Sequence, residues 1–208
     1  DIATTPTASS TLSSPLDEVK IPENRTHYEL NLTLNYYTHY GIVEEIITYT
    51  NRSAQVFEEL LLSIPPKNYP GSFTLQSLSD LDGNSITNWR EEGINLYVPL
   101  AQPLQPNQTT SLRLNFRLDF PTVEGTFGVS GRQTNLMNWY PYIPPYDETE
   151  GWITHPQQVV NNMVVGEYVV NEVADFDVTL KLTDREELIE VAASAPAVET
   201  NGVRSYHL

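Results

Sequence analysis

A protein side chain can do chemistry only where acids, bases or metal ligands converge, and four histidines are the first residues to weigh. His27, His39, His155 and His207 are scattered over a chain of 208 residues. None falls in the HExxH spacing, where two histidines one helical turn apart hold zinc and the glutamate activates water. No GxSxG elbow presents a serine, and the GVSGR run from Gly128 to Arg132 lacks the strand and helix that would make it a nucleophile turn. Phosphate-loop and dinucleotide fingerprints are absent as well. The chain has no cysteine, which excludes a thiolate metal site, a cysteine nucleophile and a disulfide framework. On these residues we expect no catalytic group, no metal and no cofactor in the chain itself.

The acids offer two calcium readings. DLDGN, Asp80 to Asn84, places its glycine fourth, whereas an EF-hand needs it sixth with a glutamate at position twelve. A hairpin turn is the simpler expectation there. Asp147, Glu148 and Glu150, joined by Glu172, Asp175 and Asp177, could supply oxygen ligands if the chain folds back, or could be a solvated loop. Acids outnumber Lys plus Arg 27 to 11, a formal charge of -16 that repels phosphate backbones and argues against nucleic acid as a partner. The same charge suits a cationic partner or divalent cations without selecting either. Four sequons, at Asn24, Asn31, Asn51 and Asn107, matter only in a eukaryotic secretory pathway, and Asn51 also fits the end of a strand.

One stretch is unusually aromatic. NWYPYIPPYDE, Asn138 to Glu148, holds Trp139, Tyr140, Tyr142 and Tyr146, with Trp152 close behind. Planar rings beside acids could stack on sugars and accept their hydroxyl hydrogen bonds, as carbohydrate-binding modules do. The other reading is structural. Pro141, Pro144 and Pro145 stiffen a long crossover while its aromatics pin it over an open end of the fold.

The elements that would position these groups read as strands. HYELNLTLNYY alternates strictly, with Tyr28, Leu30, Leu32, Leu34 and Tyr36 on one face. GIVEEIITYTN follows as a second strand containing Val43, Ile46, Ile47 and Tyr49. Phe57 to Ile64 is a third, stopped by Pro65, Pro66 and Pro70. SFTLQSLSD leads into a turn at Asp82-Gly83, where positive φ is readily accepted. INLYVPL and TSLRLNFRLDF are two more strands, linked by AQPLQPNQT; the second buries Leu112, Leu114, Phe116, Leu118 and Phe120. Asp175 to Leu182 alternates again, and LIEVAASA and RSYHL read as the next two strands. Asp184 to Leu188 could form one helical turn, and nothing reads as a long amphipathic helix. The expected fold is all-β: an antiparallel β-sandwich or saddle-shaped curved sheets with a long Pro/aromatic-rich crossover loop.

Residues 1–26 are a Thr/Ser/Pro-rich stretch too poor in apolar surface to order itself, and 27–208 form the β domain. No apolar run reaches the length of a membrane span. The tether fits what remains once a targeting segment is removed, so we expect an exported domain. The chain ends in strand material, which suggests that it continues past Leu208.

NWYPYIPPYDETEGW (Asn138–Trp152), followed by VVNEVADFDVTLKL (Val169–Leu182), resembles the amino-terminal domain of M1-type metallopeptidases, nearest their bacterial, membrane-associated branch. ITYTNRSAQVFEELLLSIPP (Ile47–Pro66) and VPLAQPLQPNQTTSLRLNFRLDFP (Val98–Pro121) are similar to its earlier strands, in the same order, so that the resemblance spans 27–208. It implies a saddle-like scaffold braced against a downstream catalytic domain, which alone carries HExxH and zinc. It also implies membrane contact only through flanking segments, and an extracytoplasmic location. The parent would be a zinc-dependent peptidase or a relative that has lost its ligands. In aminopeptidase members a Gln or Glu before the proline motif holds the substrate's amine. Gln133, eight residues before Pro141, is the matching position, although the surrounding GRQTNLMN departs from the aminopeptidase pattern.

Overall fold

The computed structural model describes residues 22–154, 158–160, 163–165, 171–183, 189–201 and 203–207. Its first strands are β1 (Thr26–Asn35), β2 (Tyr40–Thr50), β3 (Phe57–Ser63), β4 (Phe73–Ser79), β5 (Arg90–Glu92), β6 (Asn95–Leu104) and β7 (Thr109–Asp119). After them come β8 (Phe127–Ser130), β9 (Gln133–Leu136), β10 (Tyr146–Asp147), β11 (Gly151–Trp152), β12 (Gln158–Val160) and β13 (Met163–Val165). The last three are β14 (Ala174–Leu182), β15 (Val198–Thr200) and β16 (Val203–His207). Among the described residues there is no α-helix, only a 3-10 turn at Pro65–Asn68 that two prolines open.

A seven-stranded sheet in the order β15-β16-β14-β1-β2-β7-β4 forms the main layer, and β3-β6-β5 forms the second. Between them lies one buried cluster, built from alternate residues of β1, β2 and β7 against Leu60, Leu62, Leu96 and Val98. The all-β expectation holds, with one refinement to its antiparallel character. β1 and β14 pair in parallel from Thr26↔Ala174 to Leu34↔Leu182. Strands so far apart in sequence are joined by a long crossover, and only such a connection permits a parallel neighbour.

Register decides which side chains are inside. Tyr28, Leu30, Leu32 and Leu34 are buried as the alternation requires. Tyr36 lies past the strand end, where its hydroxyl donates to the Arg132 carbonyl. On β2 the buried residues include Val43, Glu45, Ile47 and Tyr49 in phase, so Ile46 points to the outer face and a glutamate takes the inner place. Gly41 opens that face because a Cβ there would meet Leu32 Cδ1 at 2.7 Å.

Two further expectations are corrected. β6 runs on from Ala101, where the linker was expected to begin, past Pro103 to Leu104. β5 pairs only with Asn95–Tyr97, so Pro99 and Pro103 stand where that edge has no partner to lose. LIEVAASA forms no strand over its described residues 189–195; the strand beside β16 is Val198–Thr200. The helical turn expected at Asp184 to Leu188 lies outside the described residues.

Candidate functional site: an aromatic strap across the sandwich

GVSGR ends β8 and turns the β8–β9 hairpin at Gly131 and Arg132, with Gly131 at φ 59°. Gln133 opens β9, exposed, its amide donating to Asn135 Oδ1 at 2.7 Å. From there Asn138, at φ 50°, reverses the chain into a strap that runs to Trp152. Asparagine tolerates this left-handed conformation better than any other residue with a side chain of its kind of bulk.

The strap is fastened at three places. Tyr142 exchanges two backbone hydrogen bonds with Ser63 on β3, of 2.7 and 2.9 Å. Next to it the Ile143 N–H donates to the Tyr28 hydroxyl of β1 at 3.1 Å. Farther on, Glu148 Oε1 accepts the Ala54 N–H at 2.7 Å and its Oε2 accepts the Gln55 amide at 3.1 Å. One chain segment therefore bonds to both sheets. Pro141 and Pro144 are buried along it, where the missing donors leave nothing unsatisfied.

Its aromatics are packed on the domain's own rings. Trp139 is 7% exposed and lies edge-on to Tyr140 at 5.7 Å. Tyr140 meets Tyr28 and Phe176, each at 5.6 Å, and those two stack on each other at 5.1 Å. Tyr146 and Trp152, opposed in the β10–β11 hairpin, close on Phe57 at 4.8 and 4.9 Å. Burial raises the pKa of Tyr28, Tyr140 and Tyr142, as it must for phenols withdrawn from water. Sugar stacking needs open ring faces in a row, whereas these rings face one another, the geometry of a joint.

The acids do not gather into one cage. Asp147 Oδ1 accepts the N–H groups of Glu150 at 2.9 Å and Thr149 at 2.7 Å, which hold its carboxyl below the usual range. Glu148 is spent on Ala54 and Gln55, and Glu150 is exposed. Glu172 pairs with Arg52, and Asp175 with Arg25. Asp177 receives His207 and His27, and those hydrogen bonds lower its pKa. His39 stands apart in the turn before β2, and His155 lies outside the described residues. Among the described residues no three metal-ligating side chains converge.

DLDGN is a turn: Asp80 Oδ1 accepts the Asn84 N–H at 2.8 Å, and Gly83 takes φ 88°. Asn51 is fully buried, its amide donating to the Gln55 and Leu104 carbonyls at 2.7 and 3.1 Å, so it serves the strand end and is closed to a glycan. A groove of about 590 Å³ lies elsewhere, between Pro99–Leu104 and Gln108–Leu112, with Asp80 the charged residue of its lining. It brings together no acid–base pair.

Sequence reasoning passed over Glu45. The available signal was period two carried strictly through GIVEE, which places Glu45 in phase with Val43 and Ile47.

No family model matches the chain, and no curated protein matches its sequence. Solved structures do. A mutant of the M1 zinc metallopeptidase from Deinococcus radiodurans matches with a TM-score of 0.51 at 17% identity, over 88% of this chain and 38% of that one. The same mutant bound to Tyr-Ser-Ala substrate gives 0.50 at 18% identity, again over 88% and 38%. A further structure of that metallopeptidase gives 0.50 at 19%, with the same coverage of 88% and 38%. At such identity the likeness is one of fold: this is a β region built like part of a bacterial M1 zinc metallopeptidase. The chain spans 38% of the length of these proteins.

Proposed function

We propose that the chain is the amino-terminal, non-catalytic scaffold domain of a zinc metallopeptidase-like protein. The reading is supported by a fold likeness that extends over 88% of the chain, together with a strap whose rings are used internally. The domain, 27–208, braces a catalytic domain that follows it and forms one wall of the substrate cleft. Hydrolysis belongs to zinc and a glutamate in that second domain. Gln133, exposed on the β8–β9 hairpin, is the residue we assign to the peptide's free amine. Export places the domain outside the cytoplasm, held through the tether or other flanking segments. Among the described residues no helix is long and apolar enough to cross a membrane.

The test is direct. The chain alone should neither hydrolyse peptides nor titrate with zinc in an isothermal experiment, and the longer protein should do both. In that longer protein Gln133→Ala should raise KM about tenfold for substrates with a free amine and leave blocked peptides unchanged. Stoichiometric sub-micromolar zinc binding by these 208 residues would overturn the assignment.

A further inference from the structure

Glu45 lies between Leu30 of β1 and Leu114 of β7 in the central register of the main sheet. It is 0% exposed, and neither of its carboxylate oxygens has a hydrogen-bond partner. Every neighbouring element presents apolar side chains to this layer: Leu112 and Phe116 from β7, Leu60 and Leu62 from β3, Leu96 and Val98 from β6. The titratable groups that feel its charge are Tyr28 on β1 and Tyr140 on the strap. Among the described residues no cation offsets it, and burial raises its pKa well above the usual carboxyl value. A bare carboxylate there has lost its water and gained nothing in return.

The register leaves the side chain no way out, because turning Glu45 to the outer face would expose Val43 and Ile47 with it. An ionised Glu45 needs a donor or water. Tyr28 and Tyr140, the phenols within its field, border a cavity of about 20 Å³ under the strap, room for one water, which Tyr142 and the Arg52-paired Glu172 also line. The Tyr28 hydroxyl is also the group that receives Ile143. We propose that Glu45 is a proton-operated lock on the sandwich: as the neutral acid it lets the sheets close beneath the strap, and its ionisation loosens the strap at Tyr28 and Ile143.

The sign and the window follow from linkage. Below the ordinary carboxyl value of 4.5 both folded and unfolded chains hold this proton, so pH has no effect through Glu45. Above it the unfolded chain releases the proton and the fold retains it. The unfolding constant then rises about tenfold per pH unit until the folded pKa is reached. Other shifted groups act elsewhere. The hydrogen-bonded Asp80, Asp147 and Asp177 lose their contribution only as pH falls below the ordinary 3.8. His207, raised by Asp177, loses its contribution only above the ordinary 6.5.

The experiment is urea unfolding of the whole chain between about pH 5 and about pH 6.5, for wild type, Glu45→Gln, Glu45→Leu and His207→Gln, with hydrogen exchange followed at the Ile143 amide. Wild type and His207→Gln should lose stability by about tenfold per unit, and both Glu45 variants should be flat. Ile143 exchange should accelerate beyond its intrinsic base dependence in wild type and not in the variants. A flat wild type, or a slope kept by both Glu45 variants, would overturn the lock. A slope with Ile143 exchanging no faster would sever it from the strap. If Glu45→Leu does not fold, Glu45→Gln decides alone.

Discussion

Two segments distant in sequence are fastened to β1, the strap from Asn138 to Trp152 and the edge formed by β14 and β16. The strap is held by buried rings and by bonds to backbone groups: Tyr140 on Tyr28, Ile143 on the Tyr28 hydroxyl, Tyr142 on Ser63. The edge adds charges at the surface. Arg25 grips Asp175, and Asp177 takes His27 at 2.8 Å on one oxygen and His207 on the other. Those carboxylates are 38% and 48% exposed at the side chain, so water and salt compete for every pair. The strap's contacts at Tyr28 and Ser63 are withdrawn from water, and only its Glu148 fastening to Ala54 and Gln55 is exposed. The strap's hold at Ile143 should therefore be nearly indifferent to salt, while the edge should soften with salt and with pH.

Breaking the comparison at its strongest point means cutting the strap. Trp139→Ala removes a side chain that is 7% exposed and should cost about 3–5 kcal/mol, read as a lower urea midpoint at unchanged m-value. Tyr28→Phe keeps the ring and deletes the hydroxyl, leaving the Ile143 N–H without its acceptor. About 1–3 kcal/mol is expected, with Ile143 exchange accelerated ahead of β7 amides. The smallest effect belongs to the edge. His207 is raised by its hydrogen bond to Asp177, so its contribution is complete below 6.5 and fades as pH rises through the folded value. His207→Gln should expose β16 amides to faster exchange near pH 6 and match wild type in alkaline solution. Equal salt sensitivity at Ile143 and on β16 would erase the distinction between the two fastenings.

Much of the main layer was legible because its strands carry a wet face and a dry face. Tyr28 to Leu34 and Leu112 to Phe120 gave their inner sides by alternation alone. The β8–β9 hairpin was missed because Ser130 to Gln133 offers a turn flanked by too few apolar residues to show a period. LIEVAASA misled for the opposite reason, since a short alternation without a partner edge has nothing to pair with. The aromatics of the strap were visible as a cluster, but their direction was not. Whether Trp139 faces solvent or Tyr140 depends on where Tyr28 and Phe176 sit, and they lie on β1 and β14.

By itself the order of residues determined that this chain folds as sheets, has no thiol and carries a formal charge of -16. Those properties are sums over the chain or short periods within a few neighbouring positions, and neither kind depends on which strands meet. The tertiary structure alone decided that Asn51 is sealed, that Asp177 joins His27 to His207, and that Glu45 stands dry between Leu30 and Leu114. Each of these is a meeting of strands remote along the chain, fixed by register, and register is a property of pairs.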